Sequence, residues 1–141
     1  MKSKPTIAIT QGDPAGIGPE ICLKTIMNHA VLETCRPVLI GDMTVLHQAA
    51  RQLGLMEILS STRCIASMEG MDLGTGEDPV LIDCGRIRGE VRPAVPTRES
   101  GAACLTYIET AVRAALDGNL DGIATAPINK TTLHLAGIDG P

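Results

Sequence analysis

One tyrosine, no tryptophan and no phenylalanine occur in 141 residues. The core is therefore predicted to be aliphatic, built from Leu, Ile, Val, Ala and Met. Positive charge is in the minority, with 12 bases against 16 acids and a net charge of −4, which argues against a nucleic-acid surface. No apolar run approaches the roughly 20 residues of a membrane span, and the one near the N-terminus is too short for a secretory core. A soluble, cytoplasmic protein is expected. Cys22, Cys35, Cys64, Cys84 and Cys104 are odd in number and contain no CxxC pair, so reduced, buried thiols are predicted rather than a zinc or redox motif.

What remains suits one globular domain with a real core: hydrophobic residues make up 44% and charged residues 20%. The chain is organised around Thr10–Glu20, TQGDPAGIGPE, which follows the apolar run Ile7-Ala8-Ile9. Three glycines and two prolines exclude regular structure there. Gly18-Pro19-Glu20 reads as a helix start, because proline suits the first turn and an acid complements the helix dipole. A strand, a stiff turn and a helix result, and the turn is a candidate anion or substrate cradle.

Along the chain, Thr6–Thr10 is predicted as a buried parallel strand. A helix over Ile21–Ala30 follows, with Cys22, Leu23, Ile26, Met27 and Ala30 at helical spacing. Pro37–Gly41 reads as a second strand. Asp42 is expected to cap a helix running to Leu53, with Val45, Leu46, Ala49, Ala50 and Leu53 on one face and Gly54 as its stop. From Leu55 to Pro96 the periodicity weakens: Cys64–Ser67 and Val80–Cys84 are candidate strands, and glycines (among them Gly70, Gly74 and Gly76) and prolines break the rest into turns. Thr97 is expected to cap a helix with the stripe Ala102, Leu105, Ile108, Val112, Ala115 and Leu116, ended by Gly118. Gly122–Ala126 reads as a short buried strand, Pro127–Lys130 as a turn, and Thr131–Ala136 as a helix stopped by Gly137. Ile138–Pro141 is turn chemistry. The order β-α-β-α predicts an α/β fold with a mainly parallel sheet.

Both standard nucleotide motifs fail. Ile21 stands where the dinucleotide fingerprint needs its third glycine, and no Gly-Lys-Ser/Thr follows Gly12. Asp13, between Gly and Pro, is either a turn-former whose side chain bonds nearby backbone or a residue that orients a substrate or cation. Lys130 lies just past a strand's carboxyl end, where ligands collect in open α/β sheets. Its ammonium can hold a phosphate or carboxylate, with Asn129 and Thr125 adding polar contacts; the alternative is an exposed lysine at a helix start. His29, His47 and His134 lack the i,i+4 histidine partner of the zinc-protease type and read as surface or packing residues, and Arg86–Arg98 as a solvated loop or basic rim. No nucleophile–base signature of the serine or cysteine kind is present.

Gly12-Asp13-Pro14-Ala15-Gly16-Ile17-Gly18-Pro19-Glu20 and Thr125-Ala126-Pro127-Ile128-Asn129-Lys130 together resemble the N-terminal half of the PdxA family, the 4-hydroxythreonine-4-phosphate dehydrogenases. The resemblance runs the length of the chain and includes relatives acting on phosphates of threonate and erythronate. It implies α/β/α layers of the isocitrate and isopropylmalate dehydrogenase kind, incomplete here, with residues 1–141 forming the N-terminal domain of a two-domain subunit and stopping near the second. It also implies a homodimer, a small phosphorylated hydroxy acid as substrate, and NAD or NADP bound without the usual fingerprint. A divalent metal (Zn, Mg or Co), held in the family by three histidines, polarises the substrate oxygen during hydride loss. None of this chain's histidines matches those ligand positions, so the metal ligands are expected outside it. Asp13, Thr125, Asn129 and Lys130 carry over as substrate-binding positions. The catalytic and cofactor-binding residues are not assigned, and a chain of this extent is expected to be inactive alone. A non-catalytic ligand-binding or interaction module, or a remnant that does not fold cooperatively, is the contrasting expectation.

Overall fold

In the computed structural model, residues 3–69, 73, 76 and 78–140 are described. The turns expected at Gly70 and Gly74, and the closing Pro141, lie outside them. β1 (Thr6–Thr10) leads through the glycine-rich turn into α1 (Gly18–Ile26), α2 (His29–Thr34) and β2 (Arg36–Gly41). There follow α3 (Met43–Leu53), α4 (Met56–Ser60), β3 (Arg63–Ile65), β4 (Val80–Asp83), α5 (Arg98–Leu116), β5 (Gly122–Thr125) and α6 (Lys130–Leu135). The five strands form one sheet in the order β3-β4-β2-β1-β5, and every pairing is parallel. The expected α/β class and parallel sheet are what the chain adopts.

Side chains alternate across a strand, so each strand feeds two cores. Val38, Ile40, Val80 and Ile82 face α5, where they meet Ala103, Tyr107 and Ala111. Leu39 and Leu81 face the other way, onto Leu23 and Ile26 of α1, Leu46 of α3 and Leu59 of α4. The three layers follow from that alternation. Leu39 and Leu81 are fully buried, each worth about 1.5–3 kcal/mol of transfer free energy.

Several expectations are corrected by partners distant in sequence. The helix after Pro19 stops at Ile26, because Asn28 caps a separate helix by accepting from the N–H groups of Ala30 (3.0 Å) and Val31 (3.4 Å). Met27 and Ala30 are consequently exposed. Asp42 stands before α3 but its side chain does not cap it; Asp83, on the neighbouring strand, accepts from Met43 N–H instead at 3.1 Å. In α5 the expected stripe lies on the wrong side: Val112 and Leu116 are exposed, Leu116 to 83%, and Ala102, Leu105, Ile108 and Ala115 are half-buried. The buried face is instead Ser100, Gly101, Ala103, Cys104, Tyr107, Ala111 and Ala114. Small residues win there because α6 crosses closely: a Cβ on Gly101 would come within 2.1 Å of the Thr132 carbonyl oxygen. The strand expected to be buried, β5, is an exposed edge paired to β1 alone, and only Ala126 beyond it is buried.

The thiols divide similarly. Cys22 and Cys104 are buried as expected, whereas Cys35 and Cys84 are half-buried and Cys64, on edge strand β3, is exposed. Burial pushes Cys22 up to about 12, and Cys84 and Cys104 up to about 11, from an ordinary value of 9.0. A raised thiol pKa stabilises the fold fully below pH 9.0, and that contribution is lost as pH rises through the folded values. Thermal unfolding followed from neutral pH upward should therefore show a melting temperature that starts to fall above about pH 9. Replacing Cys22 and Cys104 by Ala should flatten that decline.

Candidate active-site wall

β1 and β5 are parallel neighbours in the register Thr10↔Thr125, so the chain leaves both at the sheet's carboxyl edge. The two turns that follow are in direct contact. Asp13 N–H donates to the Pro127 carbonyl at 3.1 Å, and Ala126 N–H to Thr10 at 2.9 Å. Gly12 has φ +73°, and a Cβ there would meet Pro127 O at 2.4 Å; only glycine serves both demands. Gly18 brings α1 equally close to β1, its hypothetical Cβ lying 2.0 Å from Gln11 O.

Asp13 is buried, 4% exposed, and acts as the clamp of this corner. One carboxylate oxygen accepts from Ala15 N–H at 2.9 Å, the other from the Thr132 hydroxyl at 3.2 Å, tying the first turn to α6. Gly16 N–H donates to the Asp13 carbonyl at 3.0 Å. The amides of residues 13, 15 and 16 are thus taken internally, which leaves little of the expected anion cradle in them. Asn129 caps α6 by accepting from Thr131 N–H at 2.9 Å.

A cavity of about 520 Å³ opens beside this corner, lined by Asp13–Ile17, by Gln48, Gln52 and Leu53 of α3, by Val91 and Ala94, and by Asn129. Asp13 and Asn129 share it; Thr125 and Lys130 do not line it. Both are exposed, and Lys130 opens α6 next to Asn129. Its charged lining residues are Asp13 and Glu20, both acidic, and Glu20 pairs with Lys24 at 2.6 Å. Lys130, Arg51 and Arg92 each adjoin in sequence a residue that lines the cavity. A larger hollow, about 760 Å³, lies at the opposite edge, near the amino ends of β1 and β2, and includes Lys4, His29 and Arg36. Ligands of open α/β sheets gather at the carboxyl edge, which favours the smaller cavity as the ligand site.

Residues outside the predicted substrate-binding set complete the corner. Gln11, 1% exposed, accepts from Asp42 N–H at 2.8 Å. Asp42, equally buried, accepts from Arg86 N–H at 2.5 Å and from the Tyr107 hydroxyl, linking β2, α5 and the segment after β4. Burial, then the hydrogen bond to Asp42, drives the Tyr107 pKa far up, keeping the phenol protonated as donor. Gln48 engages both backbone groups of Val91, donating from Nε2 to its carbonyl (2.6 Å) and accepting its N–H at Oε1 (2.9 Å). Buried Gln and Asp directly after apolar strands were the available hint; Gln48 had none.

Among the described residues no group of three His, Cys, Asp or Glu side chains can hold a metal ion, so this donor set does not fit the divalent metal. The β1–α1 turn likewise does not fit a dinucleotide pyrophosphate, given its internally bonded amides and Ile21 in place of the third glycine. Among the described residues no helix is long and apolar enough to cross a membrane.

The chain is 38% identical over 138 residues to D-threonate 4-phosphate dehydrogenase of Bordetella bronchiseptica, covering 97% of this chain and 38% of that protein. Its fold superposes on a 4-hydroxythreonine-4-phosphate dehydrogenase from Burkholderia phymatum with TM-score 0.83 at 31% identity, covering 96% of this chain and 40% of that one. A terephthalate 1,2-cis-dihydrodiol dehydrogenase from Burkholderia xenovorans aligns with TM-score 0.65 at 30% identity, over 97% of this chain and 38% of that one. The chain thus spans about two fifths of the length of these relatives. The model of the pyridoxal phosphate biosynthetic protein PdxA matches residues 33–141, and the chain belongs to the PdxA family.

Proposed function

We propose that this chain supplies one wall of the substrate site of a dehydrogenase that oxidises a phosphorylated hydroxy acid. The observation that carries the proposal is the contact between the Asp13 and Asn129 turns at the sheet's carboxyl edge, beside a cavity. Asp13 holds the two turns together, Asn129 presents its edge to the cavity, and the exposed Lys130 ammonium meets a phosphate or carboxylate at the rim. Thr125 lies on the same edge and adds a hydroxyl. D-threonate 4-phosphate is the favoured substrate, supported by the 38% identity to a relative of that name; 4-hydroxythreonine 4-phosphate, the substrate in the name of the 31% identical structure, is the second reading. Pyridoxine biosynthesis belongs to that second reading.

Hydride transfer in the whole enzyme calls for NAD or NADP, and a divalent metal ion belongs to the same proposal. No residue of this chain is assigned to either. The whole enzyme is proposed as a cytoplasmic homodimer, and the 141-residue chain alone as inactive. Calorimetric titration with D-threonate 4-phosphate should give saturable binding that weakens about tenfold or more in Lys130→Ala, the size of a lost charge-assisted contact. Equal affinity in the variant, or equal binding of unphosphorylated threonate, would remove Lys130 and the phosphate from the account. NAD reduction by the chain alone would place catalysis within it.

A further inference from the structure

The segment from Gly85 to Pro96 has no helix or strand, yet it forms a wall of the 520 Å³ cavity through Val91, Pro93, Ala94 and Pro96. A second cavity, of about 190 Å³, is lined by Gly89, Val91, Val95 and Thr97. Cavities adjoin the strip along its length, and half-buried Val91 is the side chain by which it rests on the α5-side core. Ile87, 4% exposed, anchors the beginning in the core, and Arg86 N–H is fixed to Asp42. Beyond Gly89, whose surroundings are open within 4 Å of a hypothetical Cβ, three hydrogen bonds among the described residues tie the strip to the body of the chain. Two are the paired bonds of Gln48 to Val91, and the third runs from Ala94 N–H to the Ala15 carbonyl at 2.8 Å. Ala94 sits at φ +60°, the left-handed region that a Cβ disfavours. Such strain persists only while neighbouring contacts hold it, and it is relieved when they break. Pro93 and Pro96 stiffen the piece between, and the Val95 N–H to Arg92 carbonyl bond (3.3 Å) keeps its own shape.

We propose that Glu90–Pro96 is a flap that opens as a unit over the cavity, hinged at Gly89 and Thr97, and that Gln48 is its latch. Opening breaks the three bonds together, lifts Val91 off the core and releases Ala94 from its left-handed conformation, leaving Ile87 and the sheet in place. The inference is independent of which ligand the cavity takes. Gln48 is a positioning residue in this scheme: it sets the wall through Val91, and the wall, bonded to Ala15, fixes the Asp13 turn.

Residue-resolved amide hydrogen exchange on the full chain tests it. Wild type should exchange Val91 and Ala94 faster than Leu39 and Leu81 of the sheet. Gln48→Met, which fills the same space without either hydrogen bond, should speed Val91 and Ala94 about tenfold and leave Leu39 and Leu81 unchanged. Gln48→Glu gives a readout that mere packing would not move. A protonated carboxyl donates and accepts as the carboxamide does, whereas the carboxylate only accepts and repels the Val91 carbonyl. Relative to wild type at the same pH, the variant should hold the flap near pH 4 and lose about tenfold protection near pH 8. Titrating neighbours, Glu90 and Arg92 in the flap, His47 and Arg51 on α3, and Asp13 and Glu20 across the cavity, are common to both proteins. Acceleration of Leu39 and Leu81 alongside Val91 would overturn the proposal, since the strip would then open only with the whole fold. So would an unchanged Ala94 in Gln48→Met, or a Gln48→Glu effect that does not vary with pH.

Discussion

Gly18→Ala is expected to destabilise the chain by more than about 3 kcal/mol, a large share of the total stability of a domain this size. The added Cβ would lie 2.0 Å from the Gln11 carbonyl oxygen and 3.3 Å from the Ala126 side chain. The first neighbour is backbone at the end of the interior strand β1, already committed through Gln11 N–H to the Ile40 carbonyl at 2.9 Å, so no flexible group can yield. Relief requires that α1 move off the sheet, opening the core around Leu23 and Ile26. Gly89→Ala supplies the contrast: nothing lies within 4 Å and its φ is ordinary, so urea melts should shift by no more than about 0.5 kcal/mol. Equal melts for Gly18→Ala and wild type would show that α1 does not sit where the corner requires.

The second large effect is expected from Tyr107→Phe, which deletes one oxygen from the chain's only aromatic residue. The hydroxyl donates to Asp42, and both side chains are sealed from solvent, at 0% and 1% exposure. Removing the donor leaves a buried carboxylate held by the Arg86 N–H, and a hydrogen bond to a charged group contributes about 1.5–3 kcal/mol. Asp42→Leu should be worse, stranding the Tyr107 hydroxyl and the Arg86 amide together. The double variant Tyr107→Phe with Asp42→Leu should lose less than the sum, with a coupling of about 1–3 kcal/mol measured by a double-mutant cycle. Additive losses would mean that the pair contributes as separate packing groups.

These two sites mark where the sequence was legible and where it was not. Elements with local punctuation were readable: β1 over Thr6–Thr10, the stop of α3 at Gly54 with φ +70°, and the Thr97 cap, whose hydroxyl accepts from Ser100 N–H at 3.0 Å. The α/β class followed from the alternation of such elements. What escaped depends on partners far along the chain. Asp42 has the composition of a cap, and only the positions of Tyr107 and Asp83 decide that its carboxylate turns into the core. The buried face of α5 is set by how closely α6 approaches Gly101, which favours Ala over the larger Leu and Val that hydrophobicity selects. At the site, the glycine-rich turn and the Asn129–Lys130 turn were each visible, and the resemblance joined them. Their contact rests on β1 and β5 being neighbours, a fact of strand order that no local pattern encodes. Gln48 and Ala94 sat in stretches whose only signals were a helical period and turn chemistry.

Backbone amide chemical shifts recorded during a titration with D-threonate 4-phosphate test the central claim most directly. The account predicts that amides of Gly12–Ile17 and of Ile128–Thr131 shift together with one dissociation constant, because one ligand touches a wall made from both turns. Shifts confined to one turn, or centred on Lys4, His29 and Arg36 at the opposite edge of the sheet, would contradict it.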